Sequence, residues 1–532
     1  MEKVRMAEIL VVFGLFFALG LSWMGIMPLW QGADEPAHFA YVQYMADHVL
    51  PPVQHVVAPG QHPWEFSASP AETVALQATH RNRLLAGPQG WLATTPSEAA
   101  RVARTVSRAS AAAGGDRAGS QNYVGIYPPL YYAAIGRTAS WLHIQNVFDQ
   151  AFMARGFSAG LLGLTGIFID LVVGLVIPTR RLRVALTAAF GLLFPTLGML
   201  GGTIGNDLTA DAASLVVFYL TVRAMTAQTI RAGTAALFGA VAGLVIWTKE
   251  EAYVGLAVSV PFVLHALWRR VGPRRAWRWT AAAVAIGTLI AGPWLWFTWH
   301  AYHAIVPPLT YQGAATAPRT VAWVLHYQFF NGAYLRNLLV GETVFGIVWW
   351  NPWSLNLGVF TVMAVTYGAL LVGGLVVAVK RPGYWVAIAW LVVGLAVLGV
   401  LQVSYAAATG LSFLQGRYFF FLLGPFFWLA AQAIRRIAWV ATPILLAGAA
   451  TLSGMVANAT LQRFYHAGLA AYLTGRTVPF GPARALLLSR VATVVVAVAV
   501  LAVLGSLIAA TVRRSKGRVA NSSLPARSGP AG

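Results

Sequence analysis

Residues 7–29 read AEILVVFGLFFALGLSWMGIMPL, and the fold follows from that stretch. It holds about 20 apolar residues in succession, the length an α-helix needs to cross the hydrocarbon core of a bilayer. In lipid, backbone N–H and C=O groups must bond within the segment, which selects a helix over an open strand. Comparable runs recur along the whole chain. The composition agrees: of 532 residues, 58% are hydrophobic and 10% charged, and the mean hydropathy is +0.65. A soluble domain carries about 25% charged residues, so most of this surface faces something other than water. The run behind Met1–Arg5 resembles a signal peptide, but its length and the lack of a cleavage site mark it as a retained first span.

Working outward, apolar runs place spans near 7–29, 156–178, 184–202, 207–226, 233–247, 252–268, 279–300, 358–379, 384–404, 418–434, 437–457 and 491–512. The fold class is therefore all-α, a polytopic transmembrane helical bundle of about twelve spans. More than half of the 37 Lys and Arg residues fall on the N-terminal side of this map, which makes both termini cytoplasmic and the protein a multi-pass protein of the cell membrane. A net charge of +21 would suggest nucleic acid in a soluble protein; here the basic residues sit in short clusters between spans, as topology signals do, and no nucleic-acid role is expected. With no cysteine, disulfides and Cys-ligated metal sites are excluded. The segment 233–268 is short for two crossings and carries Lys249, Glu250 and Glu251 in its middle, so a short or broken hairpin is expected there, with the charges at an interface or lining a cavity.

The long first loop, 30–155, is external in this map and holds half of the chain's 16 acids. Its start reads as an interfacial amphipathic helix over 36–50, with Phe39, Val42, Met45, Ala46 and Val49 on one face. Trp23 and Trp30 suggest an interfacial belt beside it. A second external segment, 301–357, is rich in aromatics, including Trp349, Trp350 and Trp353. The organisation expected is a bundle over 1–457 that includes both external segments, an external loop and last span over 458–512, and a disordered basic cytoplasmic tail over 513–532.

Asp34 and Glu35 leave the end of the first span together. Adjacent, partly desolvated carboxylates have raised pKa values, as a general base requires, whereas helix capping explains the same acids without chemistry. His38 lies one turn on and can orient a carboxylate, contact a phosphate or ligate a metal. A metal site would recruit His55, His62 or His80, but no metal-ligand spacing is present. Asn206, Asp207 and Asp211 open the fourth span; capping accounts for the first two, while Asp211, one turn inside, is a functional candidate. Asp170 in mid-span has no capping explanation either, and pairing with a basic residue of the bundle is the plainer reading beside a functional one. Lys249 and Glu250, and Arg417 with Tyr418, place further charge and an aromatic ring at the ends of apolar segments. An Arg fork suits phosphate oxygens, and snorkelling is the plainer reading. Trp294, Trp296 and Trp299 suit lipid anchoring, or stacking on a sugar ring or an isoprenoid chain.

Several stretches together resemble the GT-C superfamily of membrane glycosyltransferases. They are W-x-x-x-DEPAHFAYVQYMAD at 30–47, YPPLYYAAIG at 127–136, GTIGNDLTADAASL at 202–215, WTKEEAY at 247–253, FGIVWWNPW at 345–353 and LQGRYFFFLLGP at 414–425. The combination is similar to a bacterial family of multi-pass membrane proteins of GT-C type, related to the protein O-mannosyltransferase and lipid A aminoarabinose transferase group. The resemblance implies a sugar donor carried on a polyprenyl phosphate and transfer to an envelope glycan, lipid or protein outside. It gives the catalytic role to Asp34, with Glu35 beside it. His38, Asn206, Asp207, Asp211, Lys249, Glu250, Arg417 and Tyr418 are then donor- or acceptor-binding residues. The resemblance fixes no cofactor, and a divalent cation stays open. Inverting transfer needs a base for the acceptor hydroxyl and cations for the leaving phosphate. Two other readings stand beside it: a transporter or lipid-linked-glycan flippase, using in-membrane Asp170 and Asp211, and a non-catalytic envelope-assembly protein of the same fold. The chain departs from the group in its shortened fifth and sixth spans and in residues 458–532, which lack a counterpart.

Overall fold

Among the described residues every long apolar run becomes a helix, and the loop between the first two contains helices as well. The structure is a computed structural model describing residues 2–54, 66–80, 95–113, 118–307, 320–326, 357–409 and 416–522. The aromatic stretch 345–353 lies outside the described residues, as do His55 and His62. The first span is α1 (Glu2–Ile26), and the loop contributes α2 (Glu35–Asp47), α3 (Pro70–Ala78), α4 (Pro96–Ala112) and α5 (Leu130–Trp141). The bundle continues with α6 (Val147–Gly174), α7 (Arg180–Leu193), α8 (Pro195–Gly201), α9 (Asp207–Thr226), α10 (Ala232–Val245), α11 (Glu251–Val271) and α12 (Pro273–Tyr302). It closes with α13 (Leu357–Ala378), α14 (Tyr384–Thr409), α15 (Leu423–Ile434), α16 (Ala438–Tyr465) and α17 (Ala483–Ser522).

Among the described residues, nine helices are long and apolar enough to cross a membrane, or ten if the bent pair α7–α8 is one span. One of the nine is a 49-residue run, Arg417–Tyr465. Straight, it would be about 74 Å long, more than twice the hydrocarbon core. Instead it turns back at the 3₁₀ turn Arg435–Ile437: Arg417 reaches Asp34 at one end, and Tyr465 lies near Arg155, on that same side. Splitting this run and adding the short α10 recovers the dozen crossings expected. α10 has only 14 residues, about 21 Å, and lies against α12 through Gly239 and Gly243, where an added Cβ would strike the α12 backbone.

Three expectations are corrected. The single span at 184–202 is broken at Phe194, where α8 leaves α7 at 80°. Pro195 has no N–H for the helical ladder and biases its predecessor away from the helix; Phe194 sits at φ −113°, ψ 81°. The carbonyl of Leu193 is met instead by the Tyr367 hydroxyl. Second, the helix expected at 36–50 is present as α2, but nearly all of its residues are buried, not one face only. Residues 122–127 and α5 cover it, and Gly136 comes so close to the Val42 carbonyl that no side chain fits between. Third, Trp23, Trp30 and Trp294 are buried core residues and not interfacial anchors. The Trp23 ring fills the space over Gly198, whereas Trp296 and Trp299 are exposed.

At the end of the bundle away from the loop, Asp170 finds its basic partner. Arg183 Nε lies 3.3 Å from its carboxylate and also pairs with Glu8. α17 continues to Ser522.

Candidate active site

The site grows from the turn between α1 and α2. Glu35 is completely buried and takes a two-pronged ion pair from Arg155, at 2.7 Å to Nε and 2.8 Å to Nη2. The remaining N–H groups of Arg155 bond the carbonyls of Met24, Met27 and Pro28, at and just beyond the end of α1. All five guanidinium donors are used. Glu35 also accepts the backbone N–H groups of Gly32 and Ile204, each at 3.1 Å. This pair fastens α1, α6, the start of α2 and the turn before α9 to one another, and it saturates both carboxylate oxygens.

Asp34 is different in every respect. Its backbone is left-handed, at φ 55°, ψ 16°, and its side chain makes no capping bond to α2. The carboxylate turns away from the helix and remains 26% exposed. It accepts the Tyr123 hydroxyl at 3.0 Å and Arg417 Nη2 at 3.3 Å. Tyr123 is carried there by residues 122–127, which Asn122 anchors to the Ala37 carbonyl at 2.8 Å.

Arg417 then reaches Asp207, with Nε 3.3 Å from its second oxygen. Lys249 Nζ donates to the first Asp207 oxygen at 2.6 Å and lies 3.2 Å from Glu251. Its ammonium sits over the rings of Tyr127 and Tyr418, at 5.2 and 4.8 Å. The result is an alternating row of charge, Asp34, Arg417, Asp207, Lys249 and Glu251, drawn from the start of α2, α9, the α10–α11 connection, the first residue of α11 and the 3₁₀ turn Gly416–Leu422 before α15. Low dielectric strengthens each link, and alternation lets buried charges coexist.

His38 closes one side of the row. Its Nδ1 is 2.7 Å from the Tyr132 hydroxyl, and its ring stacks near Tyr127 and Tyr132. Burial pushes its pKa down to about 4, against the opposing pull of Asp34 and Asp207, so at neutral pH the imidazole is uncharged. Glu250 is pushed up to about 7 by burial and by neighbouring Glu251. Asp211 is buried one turn below Asp207. One of its oxygens, both amide atoms of buried Asn206 and one Glu251 oxygen have no hydrogen-bond partner among the described residues.

Of the residues singled out from sequence, the fold brings Asp34, His38, Asp207, Lys249, Arg417 and Tyr418 into one cluster, with Glu250, Asn206 and Asp211 at its margin. Glu35 stands apart in its own saturated pair. His80, with a left-handed backbone just beyond α3, has no place in the cluster. Among the described residues no three His, Cys, Asp or Glu are arranged to hold a metal ion. Sequence reasoning missed Arg155 and the tyrosines 123, 127 and 132. Tyr127 and Tyr132 lie within the quoted motif at 127–136, so that signal was available; Arg155, 120 residues from its partner, left none.

These features define a polytopic helical membrane protein with a charged, aromatic-lined site where the first loop meets the bundle. The chain belongs to the family described as Predicted membrane protein (DUF2142), which matches residues 16–424. No curated protein matches it. Among solved structures it is similar to ArnT from Cupriavidus metallidurans in the apo state, with 16% identity and a TM-score of 0.40 over 89% of this chain and 75% of that one. It is also similar to ArnT from the same organism bound to undecaprenyl phosphate, with 15% identity and a TM-score of 0.38 over 84% and 76% of the two chains.

Proposed function

We propose that this protein is a membrane glycosyltransferase that moves a sugar from a polyprenyl-phosphate donor to an envelope acceptor on the side carrying the first loop, with inversion. The observation that carries this reading is the row from Asp34 to Lys249: a partly exposed carboxylate beside one buried cation, Arg417, which Asp207 links to a second, Lys249. Asp34 takes the proton of the acceptor hydroxyl as its oxygen attacks the anomeric carbon. The bond from that carbon to the phosphate oxygen breaks, and the electron pair leaves with the phosphate. Arg417 and Lys249 receive the developing negative charge. Arg417 holds Asp34 only at 3.3 Å, so it can turn toward a phosphate and leave the carboxylate to the acceptor. Neutral His38, fixed by Tyr132, supports the donor by hydrogen bonding and not by charge. Glu35 is assigned to architecture, because each of its oxygens already receives two donors.

By the charge asymmetry of the loops, the first loop faces outside and both termini are cytoplasmic. The reading is tested by following radiolabelled sugar from a panel of polyprenyl-linked donors in membranes with and without the protein. Transfer that requires the protein and is abolished in Asp34→Asn is expected. Movement of intact donor across the bilayer without any transfer product would replace this proposal with a flippase.

A further inference from the structure

On another flank of the bundle, α1, α6 and the start of α17 line an open groove of about 790 Å³. Its lining is apolar except at the mouth. Phe13 and Phe17 form one wall and Leu488 belongs to another, while α6 presents bare backbone at Gly156 and Gly160. No atom lies within 4 Å of where a Cβ would stand at either glycine. Elsewhere on α6, Gly163 and Gly166 are filled by Phe13 and Phe16 in the usual manner of small residues at helix contacts. Along α6 the groove runs from Asp149 to Leu164, about 22 Å, somewhat more than one leaflet's half of a ~30 Å hydrocarbon core. That is the path of one extended fatty chain.

The mouth carries Asp149 on α6 and Arg484 on α17, both exposed and near enough to interact. One negative and one positive group on adjoining walls complement a zwitterion better than an anion. Arg484 suits a phosphate, and Asp149 an ammonium. α17 lies beyond residues 16–424, the part of the chain that the family model matches.

We propose that the groove is a lipid site, separate from the charged cluster, that holds one acyl chain of a phosphatidylethanolamine-type lipid, with its phosphate on Arg484 and its ammonium on Asp149. The test is native mass spectrometry of the full-length protein released from vesicles of equal phosphatidylethanolamine, phosphatidylglycerol and phosphatidylcholine. One retained lipid is expected, the ethanolamine species favoured by about tenfold. Gly160→Leu fills the groove from a position that faces open space and favours the helix, so it folds, and it should lose the lipid by at least about tenfold. Arg484→Ala and Asp149→Asn should keep some lipid but erase the head-group preference. Retention in Gly160→Leu equal to wild type, no retained lipid in wild type, or preference for the glycerol lipid would each overturn the proposal. A melting curve of Gly160→Leu without added lipid, matching wild type, confirms that loss reflects the filled groove.

Discussion

Asp34 and Glu35 are neighbours in sequence and should behave as opposites under mutation. Glu35→Ala leaves Arg155 buried with two donors unmet, and leaves the N–H groups of Gly32 and Ile204 without their acceptor. Stranding one member of a buried ion pair costs about 3–5 kcal/mol, and the two backbone donors push the value toward the upper end. Glu35→Gln is little better, since its amide NH₂ must face N–H donors on one side. We expect both variants to unfold at markedly lower denaturant in detergent, and transfer to fall in proportion to the folded fraction. The double variant Glu35→Leu with Arg155→Met removes both charges and their desolvation cost, and should recover much of the loss, which a double-mutant cycle measures directly. Asp34→Asn, by contrast, alters a partly exposed group with one 3.3 Å ion contact, so stability should change by less than about 1 kcal/mol. Wild-type stability in Glu35→Ala would refute the assignment of the Glu35–Arg155 pair as the fastening of the site.

Purified Asp34→Asn should lose transfer by about 10²–10⁴-fold with donor binding nearly intact, whereas Arg417→Ala should weaken donor affinity more than the chemical step, as single-turnover kinetics would separate. His38 is held neutral in the fold, so between pH 6.5 and about 4 the unfolded chain binds a proton that the folded chain does not. Stability contributed by this group is present above pH 6.5 and falls through that window by about 3 kcal/mol. His38→Gln should flatten that part of the stability–pH curve. The chain has no cysteine, so Thr105→Cys on the exposed face of α4 reports topology cleanly. Labelling by an impermeant maleimide in intact cells is expected, and labelling only after permeabilisation would invert the assigned orientation.

How far sequence reasoning reached depended on the range of the interaction concerned. The spans could be read from run length because lipid imposes a local rule: a segment must satisfy its own backbone and present apolar side chains over about 20 residues. The broken α7–α8 was legible too, in Pro195, although the run length at 184–202 obscured it. Asp34, Asp207, Lys249 and Arg417 stood out as charges at the ends of apolar runs, where desolvation makes an unpaired charge costly. Their pairing was not legible. Arg417 meets an aspartate 383 residues away, and Arg155 a glutamate 120 residues away, and nothing in local spacing encodes contacts that only helix packing creates. The same holds for Trp23, whose placement in the core and not at the interface depends on a space left over Gly198. Sequence alone determined that this chain crosses a membrane many times and where its costly charges lie. The tertiary structure decided which of two adjacent carboxylates fastens the fold and which is open to chemistry, because that choice rests on which donors the packed helices bring to each oxygen.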